Sequence, residues 1–119
     1  MRIVLYGDLP AKKNRIKAVR GRGGHYDKET AATIENLILQ ARAAWGSHAP
    51  VRDPALRIKM WIANNRKDRD GILTTLLDVL VQARVLHDDA VLLCNGIITL
   101  LPATLCKKQD ERAEIDITW

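Results

Sequence analysis

Between Leu56 and Ile62 the chain alternates: Leu56, Ile58, Met60 and Ile62 are apolar, with Arg57, Lys59 and Trp61 between them. A period of two is the pattern of a half-buried strand, which commits this stretch to a sheet with one apolar face. Further along, the period changes. From Gly71 to about Arg84, Leu73, Leu76, Leu77 and Leu80 recur at helical spacing and predict a second helix, with Asp68 to Asp70 as the loop leading into it. Arg2 to Tyr6 reads as a first strand, stopped by Gly7-Asp8-Leu9-Pro10. Residues 11–26 read as a loop, loosened by Gly21, Gly23 and Gly24.

Asp27 is expected to cap a first helix that runs to about Trp45, with Ile34, Leu37, Ile38, Ala41 and Trp45 inward. Gly46 to Pro54 break it. Val91 to Leu101 is β-rich, and Asn95-Gly96 within it is either a tight hairpin turn or a bulge. Lys107 to Arg112 reads as a polar turn, and Ala113 to Trp119 alternates again and closes the sheet. A length of 119 residues is one domain. It can bury roughly 65% of its unfolded surface. The expectation is a single α/β (α+β) domain over residues 1–119.

The net charge of +5 favours an anionic partner. The charge is also uneven: residues 1–70 hold 15 Lys/Arg against 7 Asp/Glu, and residues 71–119 hold 4 against 7. Six cations, Lys12, Lys13, Arg15, Lys17, Arg20 and Arg22, occur in the 12–22 stretch with no acid, a pattern suited to phosphate. Asn14 can hydrogen-bond phosphate or a base edge, and Tyr26 can stack on a base. The plainer reading is a solvated basic loop. Cys94 and Cys106 have no zinc-binding spacing and are expected as free core thiols in a reducing cytosol. The N-terminus lacks the apolar core of a signal peptide, and the uncharged run 90–106 is short for a membrane span. A soluble cytoplasmic protein with no membrane partner is expected.

Two acidic pairs flank the second helix: Asp68 and Asp70 before it, Asp88 and Asp89 after it. In an extended segment Asp68 and Asp70 point to one side. Carboxylates so close repel, and Mg²⁺ removes that conflict, since it takes hard oxygen ligands together with water and phosphate. Such a metal polarises a phosphodiester and stabilises the leaving oxygen. The start of the helix adds a positive end. The competing reading has Asp70 as a helix cap and Asp88-Asp89 as a solvated turn. A helix of 14 residues is ~21 Å long. The few residues after Arg84 reach at most ~17 Å, so a twofold dimer is expected to bring Asp88/Asp89 of one chain to Asp68/Asp70 of the other. His87 is a surface residue, a base or a metal ligand; Asp78 is exposed or paired; Trp45 and Trp61 are expected in the core.

These residues resemble the RusA-type Holliday-junction resolvases, small endonucleases found largely in phages and prophages. The family motif is Asp-x-Asp-Asn, a helix, then Asp-Asp before a strand. Here the chain reads Asp68-Arg69-Asp70-Gly71 and later Leu86-His87-Asp88-Asp89-Ala90. Arg66-Lys67, Pro10-Ala11-Lys12-Lys13-Asn14-Arg15 and the closing ERAEIDIT are also similar to the family. The resemblance implies a homodimer with a mixed sheet flanked by two main helices. It also implies Mg²⁺-dependent paired nicking of four-way DNA junctions in recombination and repair. By that likeness Asp68, Asp70 and Asp89 are metal ligands and catalytic, with Asp88 supporting. The two basic segments, Lys12 to Arg22 with Asn14 and Arg66, Lys67 and Arg69, would hold DNA. Two departures stand out: Thr74 occupies the place of the family's catalytic lysine, and Gly71 that of its asparagine. They make a silent junction-binding protein the alternative.

Overall fold

The computed structural model describes residues 1–11, 16–19, 23–26, 28–64, 68–87 and 97–119. The strands are β1 (Arg2–Tyr6), β2 (Ile16–Val19), β3 (Gly23–Tyr26), β4 (Ala55–Ile62), β5 (Ile97–Leu100), β6 (Thr104–Leu105) and β7 (Arg112–Thr118). The helices are α1 (Lys28–Trp45) and α2 (Arg69–Gln82), with one 3₁₀ turn at Lys108–Asp110. The main sheet runs β1-β7-β4-β5, with β6 also paired to β4. It is mixed: β7 is antiparallel to β1 and β4, and β5 and β6 are parallel to β4. The unit β4–α2–β5 is therefore a parallel crossover, which needs a connection of this length. The expected single α+β domain with a mixed sheet and two main helices is the architecture found.

The alternation in β4 does what its pattern requires. Leu56, Ile58, Met60 and Ile62 are buried, and they join Ile3 and Leu5 of β1 and Ala113, Ile115 and Ile117 of β7. Onto this face pack Leu37, Ile38, Ala41 and Trp45 of α1, and Ile72, Leu76, Leu77, Val79 and Leu80 of α2. Both helices thus cover one side of the sheet, and the other side is left open. Among the described residues, no helix is long and apolar enough to cross a membrane.

Several local expectations need correction. The 11–26 stretch is not all loop: β2 and β3 pair antiparallel, with Ile16 opposite Tyr26. α2 starts two residues before Gly71 and stops at Gln82, short of Arg84. The reason lies in its last turn. Arg84 adopts φ 60°, its N–H donates to the Val81 carbonyl at 3.0 Å, and the Val85 N–H donates to that of Leu80 at 2.9 Å. This is a Schellman ending without the usual glycine. α1 ends in the simpler way, with Gly46 at φ 66° and its N–H on the Arg42 carbonyl at 3.0 Å. Arg112 opens β7 rather than closing the polar turn. Trp61 is half-buried on the open face, whereas Trp45 is in the core, 2% exposed. Cys106 is half-buried rather than in the core. Asp27, Cys94, Asn95 and Gly96 lie outside the described residues.

The outer border of β1 is closed at one point. The Tyr6 N–H donates to Gln40 Oε1, and Gln40 Nε2 donates to the Tyr6 carbonyl, both at 2.8 Å. A side-chain amide from α1 thus satisfies both backbone groups of the last residue in this edge strand.

Candidate functional site: the first turn of α2

The C-terminal ends of β1 and β4 and the start of β7 meet at one end of the sheet, where Tyr6, Arg112 and Trp61 are in register. A buried carboxylate ties this end together. Glu111, 2% exposed, accepts from the Ala63 N–H at 2.6 Å, and its carbonyl accepts from the Gly7 N–H at 3.0 Å. Both segments that leave the sheet here, one after Tyr6 and one after Ile62, are thereby anchored to the same residue. Sequence reasoning missed Glu111. Its only sequence signal is an acid directly before the alternating run of β7.

From this end the chain enters α2. Asp68 is the N-cap, with extended backbone (φ −76°, ψ 101°), and its Oδ1 accepts from the Asp70 N–H at 3.1 Å. Its carbonyl accepts from the Ile72 N–H at 3.0 Å. The cap is therefore Asp68, not Asp70, and Asp70 lies within the first turn. This corrects the extended exit loop: the two carboxylates share a helix terminus, not one side of a strand. Asp68 is half-buried, and Arg69 and Asp70 are exposed. Two acids at the positive end of a helix are electrostatically favourable.

Gly71 explains its own presence. A Cβ there would stand 3.0 Å from the Ala11 Cβ and 3.0 Å from Asp68 Oδ2. Ala11, itself 7% exposed, lies against this turn. Thr74 donates its hydroxyl to the Asp70 carbonyl at 3.0 Å, so its side chain folds back on the helix.

The other expected site residues fall at several places. Lys17 is in β2, where only the backbone is described. Lys12, Lys13, Asn14, Arg15, Arg20, Arg22, Arg66, Lys67, Asp88 and Asp89 lie outside the described residues. His87 is exposed, and its N–H donates to the carbonyl of Val51, in the segment before β4, at 2.8 Å. It stands at the opposite end of the crossover from Asp68 and does not meet it. Asp78 is half-buried and has an interaction partner. Among the described residues, no group of three or more His, Cys, Asp or Glu side chains is arranged to hold a metal. A cleft of about 320 Å³ opens between the exit of β1 and α1, lined by Tyr6, Asp8, Glu29, Thr33 and Asn36 among others. Neither a protein-family profile nor a curated protein sequence matches this chain.

Proposed function

We propose that this protein is a RusA-type, Mg²⁺-dependent endodeoxyribonuclease that acts as a homodimer and resolves four-way DNA junctions by paired symmetric nicks. The observation that carries the reading is the contact of Ala11 with Gly71. It sets the residue that precedes the cationic 12–22 stretch of the sequence against an acidic helix terminus, which supports a pairing of phosphate-binding with metal-binding groups.

The donors present suit Mg²⁺, which is ordinarily held by one or two carboxylates with water and phosphate completing its shell. Capping uses Asp68 Oδ1, and a carboxylate has further lone pairs to offer. Asp68 and Asp70 would hold the ion with Asp89, and Asp88 would support them. When bound, the ion supplies Lewis acidity to the scissile phosphodiester and stabilises the leaving oxygen. The chain's own part is to position: α2 directs its positive end at the phosphate, and Arg69 is exposed beside it. Lys12, Lys13, Arg15, Lys17, Arg20, Arg22, Arg66 and Lys67 would hold the arms, with Asn14 reaching phosphate or a base.

One observation favours a second reading, a junction binder that cuts weakly or not at all. Where the resembled family has a lysine, the Thr74 hydroxyl is tied to the helix backbone and brings no charge. A labelled four-way junction decides between them. With Mg²⁺ the native protein should nick it symmetrically and Asp70→Asn should not. Tight, junction-selective binding without nicks establishes the binder. Equal affinity for junction and linear duplex rejects both.

A further inference from the structure

The sheet face turned away from the helices carries chemistry that the acidic turn does not use. Paired residues project to the same side, so Arg2, Val4 and Tyr6 of β1 share this face with Arg112, Glu114 and Asp116 of β7 and Arg57, Lys59 and Trp61 of β4. All are half-buried or exposed. Four cations stand here against two carboxylates. One of these is already engaged: Asp116 lies 2.8 Å from Arg2, whose hydrogen bond and charge hold its carboxyl below the usual carboxylate range.

At the end of this face nearest the start of α2, Tyr6, Arg112 and Trp61 form one row across three adjacent strands. The Arg112 guanidinium lies 4.1 Å over the Trp61 ring, and its Nη1 donates to the Asp110 carbonyl at 2.9 Å. Lys59 Nζ stands 5.6 Å from the same ring and donates to the Pro102 carbonyl. Tyr6 is 61% exposed. Arg112 and Trp61 are thus held as one stacked pair before any partner arrives, and Tyr6 stands exposed beside them in the same row.

We infer that this row is a docking surface for single-stranded DNA, with bases stacked on Tyr6 and on the outer side of the Arg112–Trp61 pair and phosphates drawn to Arg57 and Lys59. Aromatic and guanidinium planes on neighbouring strands of an open sheet can stack unpaired bases, while surrounding cations follow the backbone. Paired bases hide their faces, so the surface selects unstacked strands over duplex. A second copy of the chain fits less well, because the surplus of positive charge would face itself. The inference rests on the DNA reading above, and it assigns a surface on the opposite side of the sheet from the helices.

Oligo-dT titrated without Mg²⁺ tests it. The native protein should bind with quenching of tryptophan fluorescence, and Trp61→Phe should keep most of the affinity while losing most of the quench. Tyr6→Ala, at an exposed position, should weaken binding at least fivefold, and Trp61→Leu should do so in protein that retains its fold by circular dichroism. Unchanged affinity in Tyr6→Ala, tighter binding to linear duplex or to oligo-U than to oligo-dT, or a dimer that dissociates on Tyr6→Glu would each overturn it. Junction cutting by a protein that does not bind oligo-dT removes the surface and leaves the resolvase reading intact. Binding without cutting does the reverse.

Discussion

The two ends of α2 are built on opposite terms. At its start three residues suit their places: Asp68 caps, Asp70 adds charge where the dipole favours it, and Gly71 allows Ala11 to approach. At its finish Arg84 occupies a left-handed position that glycine fills more cheaply, and another helix supplies help. Arg42 of α1 donates to the Gln82 carbonyl at 3.2 Å, placing a cation at the negative end. The contrast separates two kinds of constraint. At the finish, closing the turn is the whole task, and packing of Val85 and Leu86 holds an imperfect residue in place. At the start, the same residues that close the helix also define the candidate chemistry, so one position there serves both stability and the proposed activity.

Four measurements break or sharpen that contrast. The largest effect should come from Asp70→Asn, which leaves the cap intact and should lower junction cutting by about a hundredfold, some 2.7 kcal/mol of transition-state stabilisation. Mixing this variant with Asp89→Asn should restore nicking if the acids meet across the twofold, since one site per mixed dimer is then whole. No recovery would place both in one chain. Next, Gly71→Val should destabilise by about 2 kcal/mol through overpacking against Ala11 and the Asp68 carboxylate. Ala11→Gly should recover part of this loss in chemical denaturation. Asp68→Ala should then cost about 1 kcal/mol by losing the cap, and Asp68→Asn should keep that stability yet lose cutting. Native-level cutting by Asp68→Asn would assign Asp68 to structure alone. The smallest change belongs to the other end: Arg84→Gly should raise stability by about 0.5 kcal/mol, or about 2 °C in Tm. A loss there would mean that the arginine side chain contributes more than its backbone costs.

The sheet was legible because its strands alternate. Leu56 to Ile62 and Ala113 to Ile117 place every second residue in the core as the pattern requires. α1 was legible to within a residue, helped by Gly46. The end of α2 was not, because the residue that terminates it is an arginine with no turn signal of its own. Its beginning was misread for a different reason. Two aspartates one residue apart fit a strand exit as well as a cap, and only the backbone of Asp68 decides between them. The hairpin of β2 and β3 was hidden by its glycines and cations, which read as loop. Glu111 was invisible because burial of a lone acid leaves no periodic trace. Trp61 follows its place in the alternation, opposite to Met60 and Ile62, and not the usual preference of tryptophan for the core.

The Gln40 amide on Tyr6 bears on how two copies can come together. An incoming chain that sought to lengthen the sheet past β1 would first have to evict it, and it would then find only the short ledge from Arg2 to Val4. Continuous intermolecular sheets are disfavoured along that border. The twofold partner of the proposed dimer would therefore have to sit elsewhere on the molecule, leaving the strand order of each copy unchanged.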